Sequence, residues 1–345
     1  MSTIPALNTA AAAEVQRRLD RKTKPTGSLG RLEELAVSLA AMSGRLDAAF
    51  SNKIVLVAAG DHGVARQGVS LYPAEVTAQM VLNFLGGGAA INVLARRAGA
   101  RVVVVDAGVN SVSLPDHPGL LRHSAGPGTA DFSQGPAMSR EQAQACVENG
   151  RSVVRTLRAQ GLDLLALGEM GIGNTSPSSA LCACLLELDP EAVTGSGTGL
   201  DAAAREHKIS ILRRALKVNA PDPADALDCL AKVGGFEIAL LAGAMLEAAA
   251  LGVPVVLDGF ITGAAALVAS RIDAGVKGHL IASHQSREPG HRFMLEHLGL
   301  KAYLNLELRL GEGSGAALFL PFIDAAQAIL ADMATFETAG VSDKA

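Results

Sequence analysis

The sequence predicts an α/β fold of the doubly wound class, in which a mostly parallel, Rossmann-like sheet of six strands carries helices on both faces. Runs such as IVLVAAG (54–60) and VVVVDAG (102–108), the second with one acid near its end, are otherwise apolar on both faces, which is typical of buried strands. Stretches with helical spacing separate these runs. Glycine and polar residues end most of the apolar runs, as expected of loops that lead from a strand to a helix.

The first 50 residues contain helical patterns without a strand pattern, which indicates a small helical subdomain beside the sheet. Helical spacing over residues 6–47 is divided by KTKPTGSLG (22–30), where proline and glycine end one helix and Ser28 caps the next. The predicted parts are the helical N-terminal part of the small subdomain (1–50), the α/β catalytic domain (51–320) and a C-terminal helix that completes the small subdomain (321–345).

Six candidate strands alternate with candidate helices along the chain. The predicted strands are 54–60, 102–108, 162–171, 253–259, 279–283 and 303–311. The predicted helices after the subdomain are 73–97, 139–160, 201–218, 235–251, 260–271, 287–298 and 314–337. In such a sheet the ligand lies beyond the carboxyl ends of the strands. Those ends carry most of the unusual polar residues, in GDHG (60–63), DAGVN (106–110), GEMGIGNTSPSS (168–179), DGFITG (258–263), SHQSREPGH (283–291) and GEGSG (311–315).

Composition argues against several classes of partner. The formal net charge of −4 and an aromatic content of 3% make nucleic acid an unexpected ligand. The longest apolar run, 239–256, is interrupted by Glu247 and Pro254, which favours a buried helix followed by a strand over a membrane span. The four cysteines form no CxxC pair, so reduced core thiols are expected, and the N-terminus lacks the pattern of an export signal, so the expected location is cytoplasmic. Histidines 284, 291 and 297 are too widely spaced for a helical metal-binding pair, so no metal is expected.

Glu312 is the first candidate catalytic residue. It lies between two glycines in LRLGEGSGA (308–316), directly after a predicted strand. A carboxylate on such a bare turn can face a ligand pocket and act as a base. A solvated turn carboxylate among flexible glycines is the alternative, and the motif alone fits both.

GEMGIGNTSPSS is the candidate anion site, because it combines bare backbone with polar side chains at the start of a helix. Its relevant residues are Gly168, Gly171, Gly173, Asn174, Thr175 and Ser176. Lys208, on the helix after GSGTGLD (195–201), is either a countercharge for a bound phosphate or part of a solvated helix face. The loop also approximates a dinucleotide fingerprint, but no acidic residue ends a strand about 20 residues later. An NAD(P)-dependent oxidoreductase is therefore a rival hypothesis, and a non-catalytic sensor of a nucleotide or benzimidazole is another.

Seven motifs, in order, resemble those of the nicotinate-nucleotide–dimethylbenzimidazole phosphoribosyltransferase family over nearly the whole chain. They are KPTGSLGRLEELA (24–36), AAGDHGV (58–64), YPAEVTAQMVLNFLGGGAAINVLAR (72–96), LGEMGIGNTSPSSA (167–180), KVGGFEIALLAGAMLEAA (232–249), VPVVLDGFITGAAAL (253–267) and LRLGEGSGAAL (308–318). Residues 110–135 match poorly, and no role is predicted for them.

The resemblance implies a reaction and a set of site residues. The family transfers 5-phosphoribosyl from nicotinate mononucleotide to 5,6-dimethylbenzimidazole, which gives α-ribazole 5′-phosphate and nicotinate for the nucleotide loop of cobalamin. It implies no cofactor and a homodimer. By resemblance Glu312 is the catalytic base and Glu169 is a second carboxylate facing the benzimidazole. Tyr72, Gln79 and Met80 are then expected at the benzimidazole, and Gly171, Gly173, Asn174, Thr175, Ser176, Lys208 and Gly313 at the nucleotide phosphate.

Overall fold

A computed structural model describes residues 3–47, 49–110, 114–197 and 199–342 of the chain. Within those residues a six-stranded, fully parallel sheet runs in the order β3-β2-β1-β4-β5-β6, so the predicted fold class is confirmed. The strands are β1 (Lys53–Gly60), β2 (Ala100–Gly108), β3 (Leu120–Arg122), β4 (Leu164–Met170), β5 (Val255–Leu257) and β6 (Leu280–Ala282). The chain order reverses between β1 and β4, which is where a doubly wound sheet opens a crevice for ligands.

Helices cover both faces of this sheet. The α-helices are α1 (Thr9–Asp20), α2 (Arg31–Ser43), α3 (Val76–Leu85), α4 (Ala90–Arg97), α5 (Arg140–Ala159), α6 (Thr175–Leu185), α7 (Pro190–Val193), α8 (Ala202–Asn219), α9 (Ala226–Val233), α10 (Phe236–Ala250), α11 (Phe260–Ile272), α12 (Gly290–Leu298), α13 (Ser314–Asp332) and α14 (Phe336–Ala339). Short 3₁₀ helices span Gly63–Gln67 and Ala274–His279.

Strand β1 shows why the apolar runs lie in the middle of the protein. All of its residues are buried, and alternate side chains enter two different hydrophobic cores. Ile54 and Leu56 pack with α5, α6 and α8 to α12, whereas Val55 and Val57 pack with α1 to α4 and α13. An alternating polar pattern would put charge into one of these cores, so the uniform apolar run is required by the double cover.

The two ends of the chain lie against each other. Lys22 Nζ donates to the Met333 carbonyl at 2.5 Å, and the Phe336 N–H donates to the Arg21 carbonyl at 3.2 Å. Helix α13 packs on α2 and also contributes Phe319 to the core beneath β1, so it connects the terminal helices to the sheet.

One predicted strand is wrong, and one strand of the sheet was not predicted. Residues 303–311 form no strand; they run past the carboxyl end of β6, where the Leu304 N–H donates to the Ser283 carbonyl and the Gln285 N–H to the Leu304 carbonyl, both at 2.9 Å. The strand that was not predicted is β3, which lies within residues 110–135, for which no role was predicted. Its three residues at the sheet edge are too few to show a periodic pattern.

The predicted helix 73–97 is two helices, α3 and α4, because the chain turns at 86–89. Gly87 has a φ of +77°, and the Ala89 N–H donates to the Asn92 side chain at 3.1 Å to cap α4. By length and hydropathy the 76–97 stretch and α13 would both pass for membrane spans. Both contribute side chains to the core that covers the sheet, so they are elements of this fold.

Helices α5 and α10 pack with almost no space between their backbones. A Cβ at Gly150 would overlap the carbonyl oxygen of Leu240 on the facing helix. Glycine is therefore required there by close approach.

Candidate active site

A cavity of about 720 Å³ opens at the carboxyl ends of β4, β5 and β6. Its walls come from the end of β4 and the following turn into α6 (169–175), the turn after β5 with the start of α11 (258–262), the segment after β6 that includes His284, and the 307–312 segment before α13. Residues between β1 and α3, including Tyr72, close one side. The volume and the mixture of apolar walls with a few polar groups are typical of small-molecule sites.

The polar residues directly after β1 and at the end of β2 are at the predicted edge but do not line this cavity. His62 is buried, and its Nε2 lies 2.8 Å from Glu237 Oε1. The Asp106 carboxylate accepts the N–H groups of Gly108 and Val109 at 3.0 and 2.8 Å. These polar residues therefore order the strand ends.

The turn that carries Glu312 has an uncommon backbone. Gly311, Glu312 and Gly313 all have positive φ, at +87°, +63° and +86°. This conformation is strained for a glutamate and persists where the surroundings impose it, often at functional sites. A Cβ at Gly168 on β4 would overlap the Glu312 carbonyl, and one at Gly311 would overlap Glu169 Oε1, so glycine lets the turn approach β4.

Asp258, directly after β5, accepts hydrogen bonds from the backbone of the same turn. Its Oδ1 accepts the N–H groups of Gly315 at 2.7 Å and Ala316 at 3.1 Å, and its Oδ2 accepts that of Gly313 at 3.2 Å. Burial raises the pKa of Asp258 to about 7, although these N–H groups favour its charged form. The carboxylate therefore fixes both the start of α13 and the position of Glu312.

Glu312 lines the cavity and is 6% exposed. Its Oε2 has no hydrogen-bond partner among the described residues. Burial raises the pKa of this carboxyl, and the backbone N–H of Ile91 at the start of α4 opposes the rise. A desolvated carboxylate in the wall of a cavity, with one oxygen that lacks a hydrogen-bond partner, is suited to accept a proton.

Glu169, at the end of β4, is a second buried carboxylate in the same wall. Burial raises its pKa to about 8, and Asp258, Glu237 and Glu312 add to the rise through charge repulsion. Asn174 Nδ2 donates to Glu169 Oε2 and favours the ionised form. The cavity thus brings together the two carboxylates that the sequence singled out.

Only some of the residues predicted to bind the phosphate line the cavity. Gly171, Gly173, Asn174 and Thr175 line the cavity, and Thr175 begins α6, so a helix N-terminus faces the ligand space. Three other predicted phosphate residues lie behind the cavity-lining residues. These are Ser176, Lys208 and Gly313.

Lys208 is fully buried, and its Nζ donates to Thr175 Oγ1 at 2.7 Å. Burial lowers its pKa to about 8, and Glu288 opposes that change. Of the two interpretations of this lysine, the structure excludes the solvated helix face.

Of the three residues predicted to contact the benzimidazole, two line the cavity and one does not. Tyr72 and Met80 line the cavity. Gln79 is exposed and does not line it, because Val76 and Met80, one helical turn apart on α3, are the residues that face inward.

Asp258, His284 and Glu288 are among the polar residues of the cavity that sequence reasoning missed. All three were in motifs at predicted strand ends, which located them at the correct edge without assigning a contact. Burial lowers the pKa of His284 to about 4, so its ring is neutral at physiological pH. No cluster of three metal-ligating side chains occurs in the described ranges.

This chain is similar to known proteins in both sequence and structure. A family profile described as "Phosphoribosyltransferase" matches residues 4–341. The nicotinate-nucleotide–dimethylbenzimidazole phosphoribosyltransferase of Roseiflexus sp. (strain RS-1) is 55% identical, and the match covers 98% of this chain and 96% of the relative. The protein of the same name from Chloroflexus aggregans is 53% identical with the same coverage. A crystal structure with that name from Thermus thermophilus has a TM-score of 0.92 and 48% identity, covering 98% of this chain and 100% of the other.

Proposed function

This chain belongs to the nicotinate-nucleotide–dimethylbenzimidazole phosphoribosyltransferase family, and we propose that it transfers 5-phosphoribosyl from nicotinate mononucleotide to 5,6-dimethylbenzimidazole. The products are α-ribazole 5′-phosphate and nicotinate, for cobalamin nucleotide-loop assembly. The observation that carries the proposal is the presence, in one cavity, of the buried Glu312 carboxylate, whose Oε2 has no hydrogen-bond partner among the described residues, and of an anion loop at a helix N-terminus.

The donor needs no acid to leave. In nicotinate mononucleotide the glycosidic bond joins C1′ of ribose to a pyridinium nitrogen. As this bond breaks, its electron pair returns to the ring and neutralises the positive charge. A benzimidazole nitrogen attacks C1′ from the opposite face, which inverts the β-linked donor to the α-linked product.

A base is needed on the acceptor. Attack through one benzimidazole nitrogen leaves the ring cationic until the N–H on the other nitrogen is lost. We assign that proton to the Glu312 carboxylate, which burial makes more basic than an exposed glutamate. Glu169 in the same wall would orient the acceptor.

Phosphate binding would position the donor. The loop 171–175 presents bare backbone and the start of α6 to the cavity, and Lys208 contacts Thr175 from behind. The lysine would act through Thr175 and through its charge. Tyr72 and Met80 would pack against the acceptor ring, whereas the role predicted for Gln79 has no support from its exposed position.

The direct test is to incubate the purified protein with nicotinate mononucleotide and 5,6-dimethylbenzimidazole. We expect stoichiometric nicotinate release and a riboside phosphate whose mass and anomeric NMR signal match the α-linked product. Oxidation of a reduced nicotinamide cofactor without riboside formation would instead favour the oxidoreductase hypothesis. Tight binding without turnover would favour the sensor.

Three further proposals concern the whole protein. We place it in the cytoplasm, because its four cysteines are free, buried thiols, which are typical of proteins from a reducing compartment. We propose a homodimer, and exposed apolar side chains at Tyr72 and Leu310 beside the cavity support a covered surface; a monomer mass by light scattering would contradict it. We also propose that residues 1–50 and 321–345, whose helices touch, act as a small subdomain beside the catalytic residues 51–320.

A further inference from the structure

Glu288 is a buried cavity carboxylate that the mechanism above does not use. It lies just before α12, is 6% exposed and lines the cavity. Its Oε1 accepts the Gly197 N–H at 2.9 Å. Its Oε2 has no hydrogen-bond partner among the described residues, which is costly for a buried acceptor unless a ligand supplies the donor.

The position of Glu288 identifies the part of the ligand that it faces. It is close enough to raise the pKa of Lys208, which contacts Thr175 of the anion loop. Gly197 lies between them, since a Cβ there would be 3.4 Å from Thr175 Oγ1 and 3.7 Å from Lys208 Nζ. Glu288 therefore borders the proposed phosphate site.

A carboxylate beside a phosphate site is unsuited to the phosphate itself, because the two groups repel. It is suited to hydrogen-bond donors of the same ligand. In a mononucleotide the donors next to the 5′-phosphate are the ribose hydroxyls, which a carboxylate can accept as charge-assisted hydrogen bonds.

We propose that Glu288 accepts hydrogen bonds from the ribose 2′- and 3′-hydroxyls of the nucleotide donor and so makes the enzyme selective for a ribosyl donor. This inference rests on the proposed function and adds a specificity residue to it. The competing explanation is that Glu288 only neutralises buried Lys208 and holds the Gly197 loop.

The test compares two donors in two proteins. Nicotinate mononucleotide and its 2′,3′-dideoxy analogue are each assayed with wild type and with Glu288→Gln, and kcat/KM is measured. Glutamine keeps the size and an oxygen for Gly197 but loses the charge. For the ribosyl donor we expect kcat/KM to fall by about 10-fold or more, the loss typical of a hydrogen bond to a charged group, and for the dideoxy donor by less than about threefold.

The quantity that tests the inference is the ratio of kcat/KM for the two donors, compared between variant and wild type. In this comparison the different intrinsic reactivity of the dideoxy sugar cancels, because it affects both proteins equally. Glu296→Gln, an exposed glutamate on α12, is the matched control, and its ratio of the two donors should equal that of wild type. If Glu288→Gln folds poorly by circular dichroism, Glu288→Asp keeps the charge and retracts it, and the ratio should then fall to an intermediate value.

An equal loss for both donors would overturn the inference and leave Glu288 as a support for Lys208. No loss for either donor would also overturn it. Absence of riboside formation by wild type with the ribosyl donor would refute the proposed function instead, so the two failures are distinguishable.

Discussion

Replacing Glu312 by glutamine tests the proposed base with little other change. The side chain keeps its length, so the turn of Gly311, Glu312 and Gly313 is preserved, and the amide oxygen can still accept the Ile91 N–H. The amide cannot accept the benzimidazole proton. The variant therefore separates a role in proton transfer from a role in shape.

The size of the effect follows from the surroundings of Glu312. General-base catalysis contributes about 10²- to 10⁴-fold, or about 2.7–5.4 kcal/mol. The neighbouring carboxylate of Glu169 is engaged by Asn174 and that of Asp258 by three backbone N–H groups, so neither is free to substitute. We therefore expect a loss of about 10³-fold in kcat, in the middle of that range.

Although Glu312→Gln should lose activity, the stability of the folded protein should stay the same or increase. Burial raises the pKa of Glu312, which means that the fold disfavours the charged form. A neutral amide removes that cost, so the urea midpoint should stay the same or rise. The acid limb of the pH–kcat profile, where Glu312 becomes protonated, should disappear in the variant.

The assay is product formation at saturating concentrations of both substrates, quantified by chromatography. Glu187→Gln is a matched control, because Glu187 also has a positive φ, +53°, but is exposed and lies away from the cavity. A kcat for Glu312→Gln within about threefold of wild type would refute general-base catalysis by this residue, which predicts at least about 10²-fold. A lowered urea midpoint would show that the turn, and not the proton, had been disturbed.

The remaining predictions concern pH, the donor site and the core. Because burial raises the pKa of Glu169 from 4.5 to about 8, the folded state retains a proton that the unfolded state releases, and the free energy of unfolding should fall as pH rises through this window; urea titrations at both ends should show a smaller fall in Glu169→Gln, and an identical fall would contradict the assignment. Lys208→Ala should raise KM for nicotinate mononucleotide about 10-fold or more with a smaller effect on kcat, since it supports the anion loop; an unchanged KM would count against that role. Gly150→Ala should destabilise the protein by about 1–3 kcal/mol or more in urea, because the new methyl group meets the facing helix. Gly135→Ala, where a Cβ meets nothing within 4 Å, is its control and should be near neutral.

Sequence reasoning succeeded where physical constraints are local. The run at β1 is apolar throughout because both faces of the strand are covered, and that is visible without coordinates. It failed at β3, whose three residues contain too little pattern, and at 303–311, where alternation reflects an extended segment outside the sheet. At 86–89 three glycines in a helical pattern indicated a possible break, which the predicted single helix ignored.

For the site as well, features set by local sequence were predicted and features set by distant residues were not. Glycines around Glu312 and in the 168–176 loop show that bare backbone is required, so both segments could be selected from the sequence. The carboxylate of Asp258 could not be given its function, because its three backbone donors lie more than 50 residues away in the chain. Nor could Gln79 be separated from Met80, since a shift of one residue on α3 decides which side chain faces the cavity.

The sequence by itself determined the fold class, the edge of the sheet at which the site lies, and the family, because apolar periodicity, glycine turns and ordered motifs are properties of the chain. Only the tertiary structure decided that Glu312 lines the same cavity as Glu169, that Lys208 Nζ donates to Thr175 Oγ1, and that Glu288 Oε2 has no hydrogen-bond partner among the described residues. Burial and the unmet hydrogen bonds of these groups depend on residues distant in sequence, and desolvation, which sets their pKa values, exists only once those residues have packed together.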